Sequence, residues 1–432
     1  MGAFQKSISV WQGIALYVGA VVGSGILILP GLTGSVAGNN ALLSWGIMIA
    51  LSFPLAYAFA LLARAYPSAG GVSTFVEKAF GRYMGAVIGW FYFVAAAAGQ
   101  FIVPLTGGVY VTYAFHLPSW STFIVAVVLL VSAIISNYFG LKTSGKVQLA
   151  VSGLVVLILL AVIIFAIPHV RLYNLTPAEP FSHLRAIGNG AMMIFWSFFG
   201  WEAITSLAPE FKNGKRDVLR ATFGALIIVG LLYIGVAIAV VGTHSYSTAI
   251  STASQALNSA SLAQVMNLTF GGGGEKVVAL VALLICLGTT NAFVASISRL
   301  AYSLAHEGVA PKWLDHVNER YSTPDRGVLL VAIFSGTGLV VTLAFHLSMN
   351  TLVYIPNSLG IATYILGTAA GIKLLKSAVG KLCAGLACLM CLLAYPFIGT
   401  AIWIPAIVVV VCLSYMSWRK QRKNKLSRKV SH

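Results

Sequence analysis

Glycine, serine and one carboxylate, set inside apolar sequence, are the residues of this chain with the widest chemical scope. Gly23-Ser24-Gly25 lies in the middle of an apolar run from about 8 to 37, with no ionisable residue after Lys6. A glycine pair around a serine forms helix poorly, and Pro30 removes a backbone donor shortly afterwards. A helix interrupted at bilayer depth exposes N–H and C=O groups that must line a cavity or meet a ligand. Such a break can hold an anion at its free amides and a cation at its free carbonyls. The spacing Gly19-xxx-Gly23 also admits a plainer reading, close packing of two helices. A second break is expected where Gly200 stands beside Trp201 and Glu202, in a stretch from Met192 that is otherwise uncharged as far as Pro209. Glu202 is the carboxylate at membrane depth. Such a group must be compensated or functional, as a cap on the free amides after Gly200 or as a proton carrier.

The elements that must position these residues are apolar spans. The chain has 432 residues, 59% hydrophobic and 9% charged, with mean hydropathy +0.90. This composition excludes a soluble globular domain and indicates a polytopic membrane protein. Twelve spans are expected, near 8–37, 41–64, 82–114, 119–138, 147–167, 186–210, 217–243, 276–305, 327–346, 350–374, 380–397 and 400–418. The interrupted sixth span is five after the first, the position expected of an inverted repeat with its site at the interface. Placing both termini and the even-numbered loops in the cytoplasm puts all the basic residues there except Arg171, Arg185 and Lys276, out of 27. The positive-inside rule favours that orientation. It also explains the net charge of +17 without nucleic acid, and the basic tail from Arg419 to Lys429 reads as a segment touching anionic lipid.

Several stretches between spans carry further expectations. Tyr66-Pro-x-x-Gly-Gly71 breaks the chain, and Val72, Phe75, Val76 and Phe80 have the spacing of a short amphipathic helix. That helix would be a gate element or an interfacial anchor. The Ser/Thr/Gly-rich segment from Tyr246 to Gly274 reads as a long outer loop, with a short helix near Ala256–Val265 over the outer mouth. The cysteines, at 286, 383, 388, 391 and 412, all sit in apolar runs and read as small hydrophobic residues. An intramembrane enzyme would need paired acids or histidines within spans, whereas the histidines fall at span ends, in loops or in the tail. A channel would show a repeated filter or a charged ring. No nucleotide-binding motif and no cofactor motif are present, so a gradient must drive any transport.

These motifs together resemble the amino acid–polyamine–organocation transporters over nearly the whole chain. The resemblance rests on Gly23-Ser-Gly-Ile…Pro30, on Tyr66-Pro-x-x-Gly-Gly71, and on Ser298-Arg-Leu-Ala-Tyr…His306-Glu-Gly-Val-Ala-Pro311. It is nearest to the bacterial branch that exports neutral amino acids such as methionine and the branched-chain residues. The resemblance implies an all-α integral membrane protein of the LeuT type. Its twelve transmembrane helices would be a five-plus-five inverted repeat, with helices 1 and 6 interrupted, plus two extra helices. Residues 1–375 would form the transport core (halves about 8–167 and 186–375), 376–418 two peripheral helices and 419–432 the cytoplasmic tail. The amides of Gly23, Ser24 and Gly25, with Ile26 beside them, would hold a substrate carboxylate. Carbonyls of Val21, Trp196 and Phe199, next to Gly200, would take its ammonium. Gln100 and Phe293 would face the substrate side chain, or else pack within the bundle, and Glu202 would couple protons. Many relatives carry a lysine in span 5, but Ser152–Val156 here is uncharged. Sodium-coupled uptake, with hydroxyls such as Ser296 as ligands, therefore stays open. The implied partners are a neutral amino acid and membrane lipid, in the inner membrane, with no nucleic acid and no cofactor.

Overall fold

The computed structural model describes residues 8–66, 71–140, 145–179, 182–201 and 211–430, and every long element among them is helical. In chain order the helices are α1 Val10–Val21, α2 Gly25–Ala37, α3 Ala41–Ala65, α4 Val72–Phe80, α5 Arg82–Ala114, α6 Ser121–Tyr138, α7 Gly145–Ala166 and α8 Leu184–Phe198. They continue with α9 Gly214–Gly242, α10 Thr252–Ser259, α11 Ser261–Phe270, α12 Gly272–His306, α13 Asp325–Ala344, α14 Met349–Leu374, α15 Ala378–Ala394 and α16 Trp403–Val430. Eight helical stretches among the described residues are long and apolar enough to cross a membrane, two of them 41 and 42 residues long. Val10–Gly19 and Gly153–His169 are shorter apolar helices.

Local sequence explains where α1 starts and stops. Ser9 and Gln12 form a reciprocal cap, with the Ser9 amide donating to Gln12 Oε1 at 2.9 Å. The helix ends at Val21, and Val22–Ser24 leave helical geometry before α2 begins at Gly25. Pro30 does not end α2, contrary to the expectation from sequence. It lies inside the helix, and its neighbourhood is satisfied from the side: Thr33 Oγ1 donates to the Leu29 carbonyl at 2.7 Å and Tyr110 Oη to that of Leu27 at 2.6 Å.

The 33-residue α5 and the 35-residue α12 are each longer than a bilayer core needs, so they tilt or project from it. Small residues let the helices approach one another. Ala95–Ala98 are buried on α5, and a β-carbon on Gly99 would lie 2.8 Å from the Trp196 ring. At the periphery, Ile124, Val128, Val131 and Ile135 form an exposed apolar stripe on α6, the surface offered to lipid chains.

Two expectations about connecting segments need correction. The short helix after Gly71 is present as α4, but its apolar face is turned into the protein. Val72, Phe75 and Val76 are buried, Val72 packs against Gly367 of α14, and Phe80 is exposed. The outer segment contains two helices, α10 and α11, separated at Ala260, and Gly272–Gly274 open α12 instead of closing the loop.

Candidate functional site

The breaks after α1 and α8 meet face to face. A β-carbon on Gly25 would lie 2.5 Å from Ser197 Oγ, 2.9 Å from Trp196 Cδ1 and 3.2 Å from Ser197 Cα. The missing side chain of Gly25 therefore lets the start of α2 pack on the end of α8. At Gly23 the same construction meets nothing within 4 Å, so the open space lies at this glycine. The expectation from sequence gave the open role to Gly25; in the folded chain Gly25 is a packing residue and Gly23 borders the opening. The amides of Gly25 and Ile26 have no backbone acceptor among the described residues, whereas that of Gly23 donates to the Val21 carbonyl at 2.9 Å. Ser24 is buried and makes no capping hydrogen bond. Ile26 is fully buried in the core.

A tyrosine that sequence reading did not single out joins the two breaks. Tyr233 Oη, on α9, lies 2.8 Å from the carbonyl of Val21 and 2.9 Å from that of Ser197. One hydroxyl has one proton, so at any moment one of these carbonyls lacks a donor. The ring is held edge-on by Trp45 and Phe198. Tyr364, on α14, bridges the second break itself: its Oη accepts from the Gly200 amide at 3.3 Å and donates to the Phe198 carbonyl at 3.2 Å. Gly200 has φ 143°, a conformation that suits glycine. Phe199 stacks on Tyr92 on one side and on Tyr364 on the other, at 5.5 and 5.7 Å. The signal for these tyrosines was present in sequence, since a phenol inside an apolar span must find a partner.

The remaining expected residues divide. Trp196 is half-buried and packs over Gly99 and against Gly25, and its carbonyl accepts from the Phe199 amide at 3.3 Å. Gln100 is buried, donates from Nε2 to the Ala96 carbonyl at 3.0 Å, and has no partner for Oε1. Ser197 Oγ is likewise buried without a partner. Phe293 is half-buried on α12 and enters none of the hydrogen bonds or ring pairs of the described residues that join the two breaks. Ser296 faces outward on α12, so it is not a buried cation ligand; the buried hydroxyls of that helix are Thr290 and Ser298. Glu202 lies outside the described residues. On the α10 side, α2 is tightly covered: Gly31 leaves no room for a β-carbon beneath the Asn258 carbonyl. The cavity left between α2, α10 and the start of α14 measures about 60 Å³, room for a few waters but not for an amino acid.

Two unwound helix ends therefore present unpaired amides at α2 and shared carbonyls at α1 and α8, in a site whose described side chains carry no charge. Residues 8–423 match the amino acid permease family. The chain belongs to that family. The permease is 35% identical over 423 residues to the uncharacterized amino acid permease YecA of Bacillus subtilis strain 168, covering 98% of both chains. It is 30% identical over 406 residues to the L-methionine/branched-chain amino acid exporter YjeH of Escherichia coli K12, covering 92% of this chain and 93% of that one. Its fold resembles that of MhsT, solved in complex with L-phenylalanine, with TM-score 0.62, 15% identity and coverage of 96% and 100%. The permease is thus a multi-pass membrane transporter of amino acids with a LeuT-type all-helical fold, not an enzyme.

Tyr233→Phe tests the bridge between the breaks. Removing the hydroxyl strands a second buried carbonyl, at about 1–3 kcal/mol. A lower thermal unfolding midpoint of the purified permease is expected, together with slower substrate exchange. An unchanged midpoint would show that neither carbonyl depends on Tyr233.

Proposed function

We propose that the permease moves neutral L-amino acids, with methionine, leucine, isoleucine and valine as substrates, by alternating access in the direction of export or exchange. The observation that carries this reading is the meeting of the two breaks. Unpaired amides at the positive end of α2 suit a carboxylate, and the carbonyls sharing Tyr233 suit an ammonium. The printed function of YjeH supports the substrate class and the outward direction. The roles of Val21, Gly23, Ser24, Gly25, Ile26, Gln100, Trp196, Phe199, Gly200 and Phe293 toward substrate belong to this proposal. So do the twelve spans, counted with α1 and α2 as one, the five-plus-five repeat within 1–375, and the peripheral pair in 376–418. Both termini are placed in the cytoplasm on the distribution of basic residues. Impermeant thiol labelling in intact cells of a cysteine placed at 425, but not of one placed at 259, would reverse that orientation.

Purified permease in liposomes loaded with unlabelled methionine is expected to accumulate labelled methionine by exchange. Absence of exchange with each of the four amino acids would sink the substrate assignment. Glu202 is proposed as the proton-coupling group, since desolvation raises a carboxyl pKa and a helix end lowers it, and closure alters the balance. Glu202→Gln is expected to keep substrate binding and to flatten the pH dependence of uptake between about pH 5 and 8. A pH profile unchanged from a pH-sensitive wild type would move the coupling to another group.

A further inference from the structure

The inner end of α16 combines an unusual length, a dense basic sequence and a set of contacts to the turn after α12. At 28 residues the helix extends about 42 Å, against about 30 Å for the apolar core of a bilayer. Its apolar part ends at Trp418, which is 54% exposed and pairs with Tyr415, as expected of an aromatic pair at the headgroup level. Beyond it come Arg419, Lys420, Arg422, Lys423, Lys425, Arg428 and Lys429, with no acidic residue from 403 onward. At 100° per residue these positions fall on all sides of the helix, so the extension has no apolar face with which to dock on a protein. Pairs such as Arg419–Lys423 and Lys425–Lys429, four apart, repel each other unless anions stand between them.

The first turns of this end are fastened to the turn that leaves α12. Tyr415 Oη donates to the Ala310 carbonyl at 2.9 Å, and Arg419 Nη1 reaches the same oxygen at 3.5 Å. Gly308, at φ 84°, makes room for that guanidinium: a β-carbon there would lie 2.9 Å from Nη1. From α5, Arg82 donates to the Glu307 carbonyl at 2.6 Å and Trp90 to that of Val309 at 2.9 Å. Three carbonyls of the turn are therefore held by side chains of α5 and α16, so a force that positions α16 is transmitted to the inner end of α12.

We propose that the basic end of α16 is a binding site for anionic phospholipid headgroups, and that its occupancy fixes the Glu307–Pro311 turn and speeds transport. The site does not depend on which amino acid is carried. The test uses the full chain in vesicles of phosphatidylcholine alone, or with phosphatidylglycerol in both leaflets so that orientation does not matter. Its companion is the variant with Lys420, Arg422, Lys423, Lys425, Arg428 and Lys429 replaced by Gln, which keeps helix propensity. Wild type is expected to retain more phosphatidylglycerol than the variant in native mass spectrometry. It should also exchange amino acid about fivefold faster in the anionic vesicles, whereas the variant runs at the neutral-lipid rate in both. Tyr415→Phe combined with Arg419→Ala should keep the retained lipid and lose the rate response. Equal lipid retention by wild type and variant, or a rate response that survives neutralisation, would overturn the proposal. Acceleration of wild type in neutral vesicles by inorganic phosphate would also overturn it, by assigning the site to a soluble anion. Distinct lipid retention with no exchange in any vesicle would support the headgroup site while sinking the transport reading.

Discussion

Gly23→Leu is expected to eliminate amino acid binding while leaving the empty permease folded. A β-carbon at this position meets nothing within 4 Å, so a leucine grows into the open space between the breaks without displacing a neighbour. The same volume is then denied to a carboxylate approaching the amides of α2. Ligand-induced thermal stabilisation reads the outcome directly, because it vanishes when binding does. A midpoint within about 3 °C of wild type in the absence of ligand, with no shift at saturating methionine, is the expected pair of results. Gly25→Leu supplies the contrast. Its side chain runs into Trp196 and the backbone of Ser197, an overpacking worth about 1–3 kcal/mol, and the empty protein should melt lower. A normal methionine shift in Gly23→Leu would move the substrate away from this break.

Arginine and glutamate are expected to compete with methionine uptake at least about a hundredfold more weakly than leucine, isoleucine or valine. The unpartnered buried atoms near the break are neutral, Ser197 Oγ and Gln100 Oε1, and the packed side chain over the gap is the indole of Trp196. Neither atom can neutralise a guanidinium or a carboxylate. Desolvating such a charge without a partner costs several kcal/mol, and each 1.4 kcal/mol is about tenfold in affinity. Competition curves in liposomes with all five competitors measure this directly. Strong inhibition by arginine would place an acidic partner in the pocket and sink the neutral-substrate reading.

The limits of each helix break are local matters, and local sequence determined them. Glycines 23, 25 and 200 weaken helix wherever they stand, and Ser9 with Gln12 caps α1 through groups three residues apart. The apolar runs that become α5, α9, α12 and α14 were legible for the same reason, since length and hydropathy are summed along the chain. The short α4 was legible from its period, with Val72, Phe75 and Val76 on one face. The alanines and glycine at 95–99 also showed where helices could approach closely, though not which partner would do so. What lay against each of these faces was another matter.

Only the tertiary structure decided which glycine packs and which stays open. Gly25 and Ser197 are remote in sequence, and their approach depends on how α2 and α8 dock. Tyr233 reaches a carbonyl 212 residues away, and no local pattern encodes that pairing. The outward turn of Ser296, with Thr290 and Ser298 buried on the same helix, depends on which side of α12 meets its neighbours. Pro30 shows the same division. Its missing donor predicts a break, but hydroxyls of Thr33 and Tyr110 take up carbonyls around it and the helix continues. Sequence determined where backbone groups would be released in this permease. The fold decided which of them are taken by tyrosine and serine or threonine hydroxyls, because a released N–H or C=O in a dry interior binds whichever partner packing brings within reach.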